Sequence, residues 1–353
     1  MTFATFSLLF AALLAQQPAA QPAAQPTTRD GGQPAPDAQA APASAPATIR
    51  LATWNIENWR DHFQAAKMRG TPRPDDEEHD QLRFTERFQN DEDNWEIAQV
   101  LLDPAFSPDV LVFQEGPVQA DLEAFRDQWL EGAYETAIVF ESNTERDQTI
   151  GLLMKPGFTV VERADQYYTM PDAADVNPRG DRLFARGPAF VLVEAPGGYR
   201  FWVGTTHQKS KSGNSAAVTV WRNAEAAATR QIMGELRDRG PDDVILLGDM
   251  NDELGVGEFE DEAGGDVIAN LVGPADGGFL LATKDLAEQG AISYTGYWRP
   301  RYRSFIDHIV LTQQAADQVK AVGVLDTPWA RVASDHLPVY VDLRPDPVAP
   351  ASE

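Results

Sequence analysis

The sequence predicts an α/β domain over residues 49–345, with sheets packed on sheets and helices outside. Three observations predict it. Short apolar runs rich in β-branched and aromatic residues recur along the chain and end at polar residues, as buried strands do. Few amphipathic helical stretches lie between them, which favours sheet-on-sheet packing over a helix after every strand. The chain has 353 residues, 43% of them apolar, enough to bury a sizeable core.

Ahead of that domain, residues 3–15 (FATFSLLFAALLA) form an uncharged apolar run. It is short for a membrane span and fits the apolar region of a secretory signal, although no basic residue precedes it. Residues 1–20 are assigned to that signal, with an uncleaved anchor as the alternative. Residues 21–48 are rich in Pro, Ala and Gln and read as a flexible linker with nothing to bury. Export to the periplasm, the cell surface or the medium is the expectation.

From Thr48 the texture changes. IRLATWNI (49–56), DVLVFQE (109–115), ETAIVF (135–140), IGLLMK (150–155), AFVLVEA (189–195), RFWVGTTH (200–207), DVILLGD (243–249), SFIDHIVL (304–311) and LPVYVDL (337–343) predict strands. NWEIAQVLLDP (94–104), VQADLEAFRDQWL (118–130) and residues 215–240 predict helices, the first stopped by Pro104 and the last by Gly240. The polar stretches 61–93 and 252–266 read as long acidic loops, and 346–353 as a flexible tail.

Asp and Glu number 54 against 29 Lys and Arg, a net charge of −25. That argues against a long non-specific grip on a nucleic acid, which needs a basic face. There is no Cys, which excludes disulfides and thiolate metal sites. Any metal would sit on Asp, Glu, Asn or His, donors that suit Mg²⁺, Mn²⁺ or Ca²⁺.

Polar residues suited to phosphoester chemistry finish one strand after another. Such chemistry shields negative oxygens, deprotonates a water and stabilises a leaving oxygen. In TWNIEN, Asn55 and Glu57 are two apart and project to one strand face; Asn55 suits a phosphate or a carboxylate and Glu57 a metal. Glu115 in LVFQEG is either a solvated strand end or a metal ligand. His207 in GTTHQKS closes a strand, with Lys209 and Ser210 beyond it as positive or polar groups for a phosphate. In LLGDMND, Gly248 permits close backbone approach to a ligand, Asp249 suits a water and Asn251 a phosphate oxygen. Asp307 interrupts the apolar strand SFIDHIVL, a costly position unless paired, and His336 in ASDHLPV offers the partner. Asp335 beside it suits a metal, while His308 points to the opposite face and reads as structural. Arg186 in LFARGPAF is either a phosphate contact or an ordinary surface residue.

The ordered set TWNIEN, FQE, RGP, THQKS, GDMND, IDHIV and SDHLPV resembles the endonuclease/exonuclease/phosphatase superfamily, over nearly all of 49–343. That group includes pancreatic-type deoxyribonucleases, abasic-site exonucleases, inositol polyphosphate phosphatases and bacterial neutral sphingomyelinases. The resemblance implies a four-layer α/β sandwich of two facing mixed sheets flanked by helices. It implies Mg²⁺, or Mn²⁺ or Ca²⁺, on Glu115 with Asn55 and Asp335 nearby. It assigns the nucleophilic water to Asp249 with Asn251, and a His336–Asp307 pair. His207 matches the second histidine of the deoxyribonuclease branch and the corresponding motif of the secreted lipid-acting branch; in deoxyribonucleases that histidine has an upstream carboxylate partner, a place for which this sequence offers Asp147 or Gln148. Glu57 falls where abasic-site enzymes place a metal ligand. The segments 278–284 and 292–304 are weak candidates for the exposed aromatic hairpin of the lipid-acting branch.

The function expected is an exported metal-dependent phosphodiesterase or nuclease. The alternatives are a phosphatase or sphingomyelinase-like phospholipase on the same fold, and a non-catalytic binding module. The expected partner is a phosphoester: nucleic acid, nucleotide, phospholipid or inositol phosphate. No stable protein partner is expected, and the chain reads as a monomer.

Overall fold

The computed structural model describes residues 48–57, 59, 87–144, 148–178, 180–211, 216–255, 266–274, 277–289, 294–297 and 303–345. The signal, nearly all of the linker, the tail, Asp147 and most of both acidic loops lie outside the described residues. In chain order the elements are β1 Ile49–Asn55, α1 Arg87–Leu101, β2 Val110–Gly116, α2 Gln119–Trp129, β3 Thr136–Phe140, β4 Thr149–Met154, β5 Thr159–Ala164, β6 Ala189–Glu194, β7 Arg200–His207, α3 Ala216–Arg237 and β8 Asp243–Asp249. There follow α4 Val267–Val272, β9 Leu280–Leu281, α5 Lys284–Ala287, β10 Gly296–Tyr297, β11 Arg303–Ser304, β12 Asp307–Leu311, α6 Gln313–Asp317, β13 Val319–Val324, α7 Pro328–Ala333 and β14 Val339–Leu343. None of the described helices is long and apolar enough to cross a membrane.

The strands form two mixed six-stranded sheets, ordered β13-β14-β1-β2-β4-β3 and β5-β6-β7-β8-β12-β9. At the centre of each sheet is one parallel pair, β1 with β2 and β7 with β8, and antiparallel neighbours surround it. Alternation along each strand builds the layers. Leu51, Val112, Val203 and Ile245 point inward and form the core between the sheets. Ala52, Trp54, Leu111 and Phe113 point outward against Ile97, Leu101, Leu122 and Phe125 of α1 and α2. Phe190, Trp202 and Leu246 face Trp221, Ile232 and Met233 of α3. This is the four-layer sandwich that the motif order implies. Trp54 is fully buried, a position where truncation to Ala costs about 3–5 kcal/mol.

The inner stripe turns polar toward one edge of the sandwich. Gln114 Nε2 donates to Thr53 Oγ1 at 3.0 Å and to Thr205 Oγ1 at 2.8 Å. A buried amide thus ties the two sheets together, its cost offset by its partners. Beyond it the same inward register reaches Asn55, His207 and Asp249.

Several expectations need correction. The first helix begins at Arg87, inside the stretch assigned to a loop, and ends at Leu101, three residues before Pro104. The strand expected over 304–311 is divided, β11 and β12 being separated by Phe305 and Ile306. Within 278–284, Leu280 and Leu281 pair with β12 as an edge strand and Phe279 is buried, so the described part is not a projecting aromatic hairpin. The sequence reading missed β5, β13, α4 and α7. Capping signals marked both helices: Asp266 Oδ1 accepts the Ala269 N–H, and Thr327 Oγ1 accepts that of Ala330 with Pro328 in the first turn.

Gly248 also has a different reason from the one its motif suggested. A Cβ there would lie 2.2 Å from the Thr206 carbonyl oxygen, so the glycine lets β8 approach β7. Gly248→Ala is expected to lower stability by about 1–3 kcal/mol through overpacking, read by urea denaturation. An unchanged midpoint would mean that the two strands separate freely.

Candidate active site

The ends of the two parallel pairs meet. Asn55, at the end of β1, donates from Nδ2 to Asp249 Oδ2 at 3.0 Å across the gap between the sheets. His207, in register with Asp249 on the neighbouring strand, places Nε2 3.3 Å from the same oxygen. Glu115 reaches the cluster by a local irregularity. Alternation would aim it away from Gln114, but the ladder shifts between Gln114 and Gly116, and Glu115 has φ 57°. A bulge with left-handed backbone re-aims a side chain, and Glu115 Oε1 ends 3.9 Å from His207 Nε2. Gln148 Nε2 donates to Glu115 Oε2 at 2.7 Å, and Arg186 Nη1 donates to Gln148 Oε1 at 3.2 Å.

On the other side, β12 pairs antiparallel with β8 and sets Asp307 opposite Asp249. Two buried carboxylates side by side repel. His336 stands against both: Nδ1 lies 2.7 Å from Asp307 Oδ2, and Nε2 lies 4.0 Å from Asp249 Oδ2 and 3.9 Å from Asp335 Oδ1. The turn before β14 holds it there. Ser334 Oγ donates to the Asn55 carbonyl and accepts the His336 N–H, while the His336 carbonyl accepts Trp54 Nε1.

The two histidines are driven in opposite directions. Burial pushes the His207 pKa well below its ordinary value, and Arg186, His336 and Lys209 push the same way, so the imidazole is neutral. Burial also opposes charge on His336. There Asp307, by charge and hydrogen bond, then Asp249 and Asp335 outweigh it and hold the pKa well above the ordinary value. Burial, with the charge of Asp307, pushes Asp249 up to about 7 against His336 and the Asn55 hydrogen bond. Burial also raises Asp335 to about 7; His336 opposes this, while Glu57, Glu115 and Asp249 add to it.

The profile of the Endonuclease/Exonuclease/phosphatase family matches residues 52–336, well over half of the chain. The chain belongs to this family. Its members are phosphoester hydrolases that typically use a divalent metal. The fold is similar to those of solved family structures. The catalytic domain of human nocturnin with bound sulfate is 18% identical, with a TM-score of 0.54, covering 84% of this chain and 93% of that one. Truncated TDP2 of Caenorhabditis elegans is 15% identical, with a TM-score of 0.53, covering 84% and 98%. The mannosyl-6-phosphatase of Bacteroides thetaiotaomicron is 16% identical, with a TM-score of 0.53, covering 83% and 98%. No curated protein sequence matches the chain.

In this family member the fold brings together Asn55, Glu115, His207, Asp249, Asp307, Asp335 and His336. Asn251 lies beside them with φ 51°, its N–H donating to Asp249 Oδ1 at 2.8 Å. Glu57 is exposed at the rim, within the field of Asp335. Arg186 is half-buried and joins Glu115 through Gln148. Lys209 is buried, with Nζ donating to the Ser210 carbonyl at 2.9 Å. Gln148, weighed as a partner of His207, serves Glu115 instead, and Asp147 lies outside the described residues. His308 turns away from the site, between Thr283 Oγ1 and the Asp252 carbonyl. Sequence reasoning gave no role to Ser334, Glu225, Arg222 or Asp252: Ser334 and Asp252 lie inside quoted motifs, but their bonds to Asn55 and Arg222, like that of Glu225 to Lys209, reach segments distant in sequence.

The residues present fit a hard divalent cation. Asn55 Oδ1 is buried without a hydrogen-bond partner, and its neighbours are carboxylates that repel one another. Asp249, Asp307 and His336 also lie within 4.8 Å of one another, but His336 Nδ1 is already engaged with Asp307. The hard-oxygen set of Asn55, Glu115 and Asp335 suits the ion better.

A folded pKa above that of the unfolded chain means that the folded state binds more protons. Stability then falls as pH rises from about 4 through about 7. With metal chelated, Asp335→Asn is expected to raise the melting temperature at pH 8 and not at pH 4. An equal change at both pH values would show that Asp335 is not charge-strained.

Proposed function

We propose that the chain is an exported, divalent-metal-dependent phosphodiesterase of nuclease type. The observation that carries the reading is the opposed pair across the cleft. His336 is held as a cation by Asp307, and 4.0 Å away is Asp249, whose carboxylate titrates near neutrality. A group with a pKa near the working pH is suited to take a proton from water. Asp249 is fixed for that by Asn55 and by the Asn251 N–H. As the water oxygen bonds to phosphorus its proton passes to Asp249, and the phosphorus–oxygen bond to the leaving group breaks. His336 lends positive charge to the phosphoryl oxygens and a proton to the leaving oxygen. A divalent cation on Glu115, Asn55 and Asp335 would supply Lewis-acid stabilisation of the phosphoryl charge.

Arg186 and Lys209 lie close enough to act on His207 and would meet the substrate's own negative charge. The acidic surface, net −25, favours a substrate held locally in the cleft over one gripped along a polyanion. Export is supported by the apolar run at 3–15 and the Pro/Ala/Gln-rich segment after it.

The test is hydrolysis of bis-p-nitrophenyl phosphate with Mg²⁺ or Mn²⁺, beside p-nitrophenyl phosphate, plasmid DNA, single-stranded DNA, RNA, sphingomyelin and inositol phosphates. Wild type is expected to cleave the diester and to stop in EDTA. Glu115→Ala and His336→Ala should each lose about 100-fold or more while keeping the wild-type circular dichroism. Full activity after exhaustive chelation, or in either folded variant, would overturn the mechanism. Cleavage of the monoester alone would overturn the diester assignment.

A further inference from the structure

Helix α3 is apolar toward its C-terminal half, where Ile232, Met233 and Leu236 are buried, and polar nearer the site, where Arg222, Asn223 and Glu225 are buried. Glu225 is only 1% exposed. A carboxylate there is costly unless it is hydrogen-bonded, and its Oε2 accepts the backbone N–H of Lys209 at 2.7 Å. The peptide group carrying that N–H has the Gln208 carbonyl as its other pole. That carbonyl accepts Asn251 Nδ2 at 3.2 Å. The Gln208 N–H in turn donates to the Asp249 carbonyl at 3.0 Å.

One rigid, planar peptide therefore lies between a buried carboxylate and the side chain of Asn251. An acceptor on the N–H polarises the peptide and strengthens its carbonyl as an acceptor. The same helix also holds Asn251 from the chain direction. Arg222 pairs with Asp252, the next residue, at 2.9 Å. Asn251 sits in left-handed backbone, φ 51°, a conformation that asparagine adopts more readily than other side-chain-bearing residues.

We propose that Glu225 is a positioning residue for the reaction, orienting Asn251 through the Gln208–Lys209 peptide. This rests on the phosphodiesterase reading above. Glu225 touches no reacting atom. It aims the amide that supports the water held by Asp249, so its effect falls on turnover rather than on substrate affinity.

The experiment is a double-mutant cycle on the full chain, measuring kcat and KM for bis-p-nitrophenyl phosphate with Mg²⁺. Glu225→Met fills similar space but cannot accept the N–H, whereas Glu225→Gln still can. Glu225→Met is expected to lower kcat about 10–100-fold, the usual cost of removing a supporting hydrogen bond, with KM nearly unchanged. Glu225→Gln should retain most of the turnover. In an Asn251→Ala background Glu225→Met should cost nothing further, because the two act in series. An equal loss in both backgrounds, or a Gln variant as poor as the Met variant, would overturn the proposal. If the Met variant does not fold, Glu225→Ala replaces it.

A second readout does not need activity. In the full chain labelled with ¹⁵N-asparagine, the Asn251 side-chain amide resonance should move in Glu225→Met and stay near its wild-type position in Glu225→Gln. An unmoved resonance in the Met variant overturns the relay. A wild type that cleaves no phosphoester overturns the functional reading instead, and the spectrum still decides the positioning role.

Discussion

Two parallel strand pairs, β1–β2 and β7–β8, end at the same edge of the sandwich with their inner faces opposed, and the polar residues that finish them are buried against one another there. Below that edge the inward stripe is apolar and closes the core. At the Thr53–Gln114–Thr205 bridge it becomes polar while remaining hydrogen-bonded between the sheets. One step further it reaches Asn55, His207 and Asp249. The site is the place where the core runs out of apolar side chains while the sheets are still held about 10 Å apart.

Crowding acids at such an edge has an electrostatic cost, and the arrangement of the neighbours follows from it. Asp249 and Asp307 stand opposite each other on adjacent strands, and a histidine between them offsets that repulsion. Beyond that histidine, burial together with the charges of Glu57, Glu115 and Asp249 pushes Asp335 toward its protonated form, although His336 opposes it. Two histidines a few ångströms from the same carboxylate end with different charges, because Asp307 backs one while burial, aided by Arg186, His336 and Lys209, keeps the other neutral. Identity of residue type therefore says nothing about role here; the partner behind each ring decides it.

Helix α3 serves the site from behind. It meets the exit of β7 through Glu225 and the exit of β8 through Arg222 and Asp252. The loops that carry Lys209 and Asn251 are thereby joined to a 22-residue helix packed on the sheet. Loops are the mobile parts of a fold, and buried charge-assisted hydrogen bonds to a packed helix restrict that freedom where geometry matters for chemistry.

The sequence alone determined the strands whose apolar runs end in polar residues, because strand periodicity and burial are local properties. IRLATWNI, RFWVGTTH and DVILLGD carry both the element and the residue that finishes it. The family also lay in the sequence, in the order of seven motifs. Short elements such as α7 escaped because a single capped turn carries no periodic signal. Tertiary structure alone decided the aim of Glu115, which depends on a bulge that reverses the alternation its sequence implies. It also decided the service of Gln148 to Glu115, the opposite charges of His207 and His336, and the reach of Glu225 to the Gln208–Lys209 peptide. Each is set by groups that meet through space, and a side chain's neighbours across a cleft leave no periodic trace in its own segment.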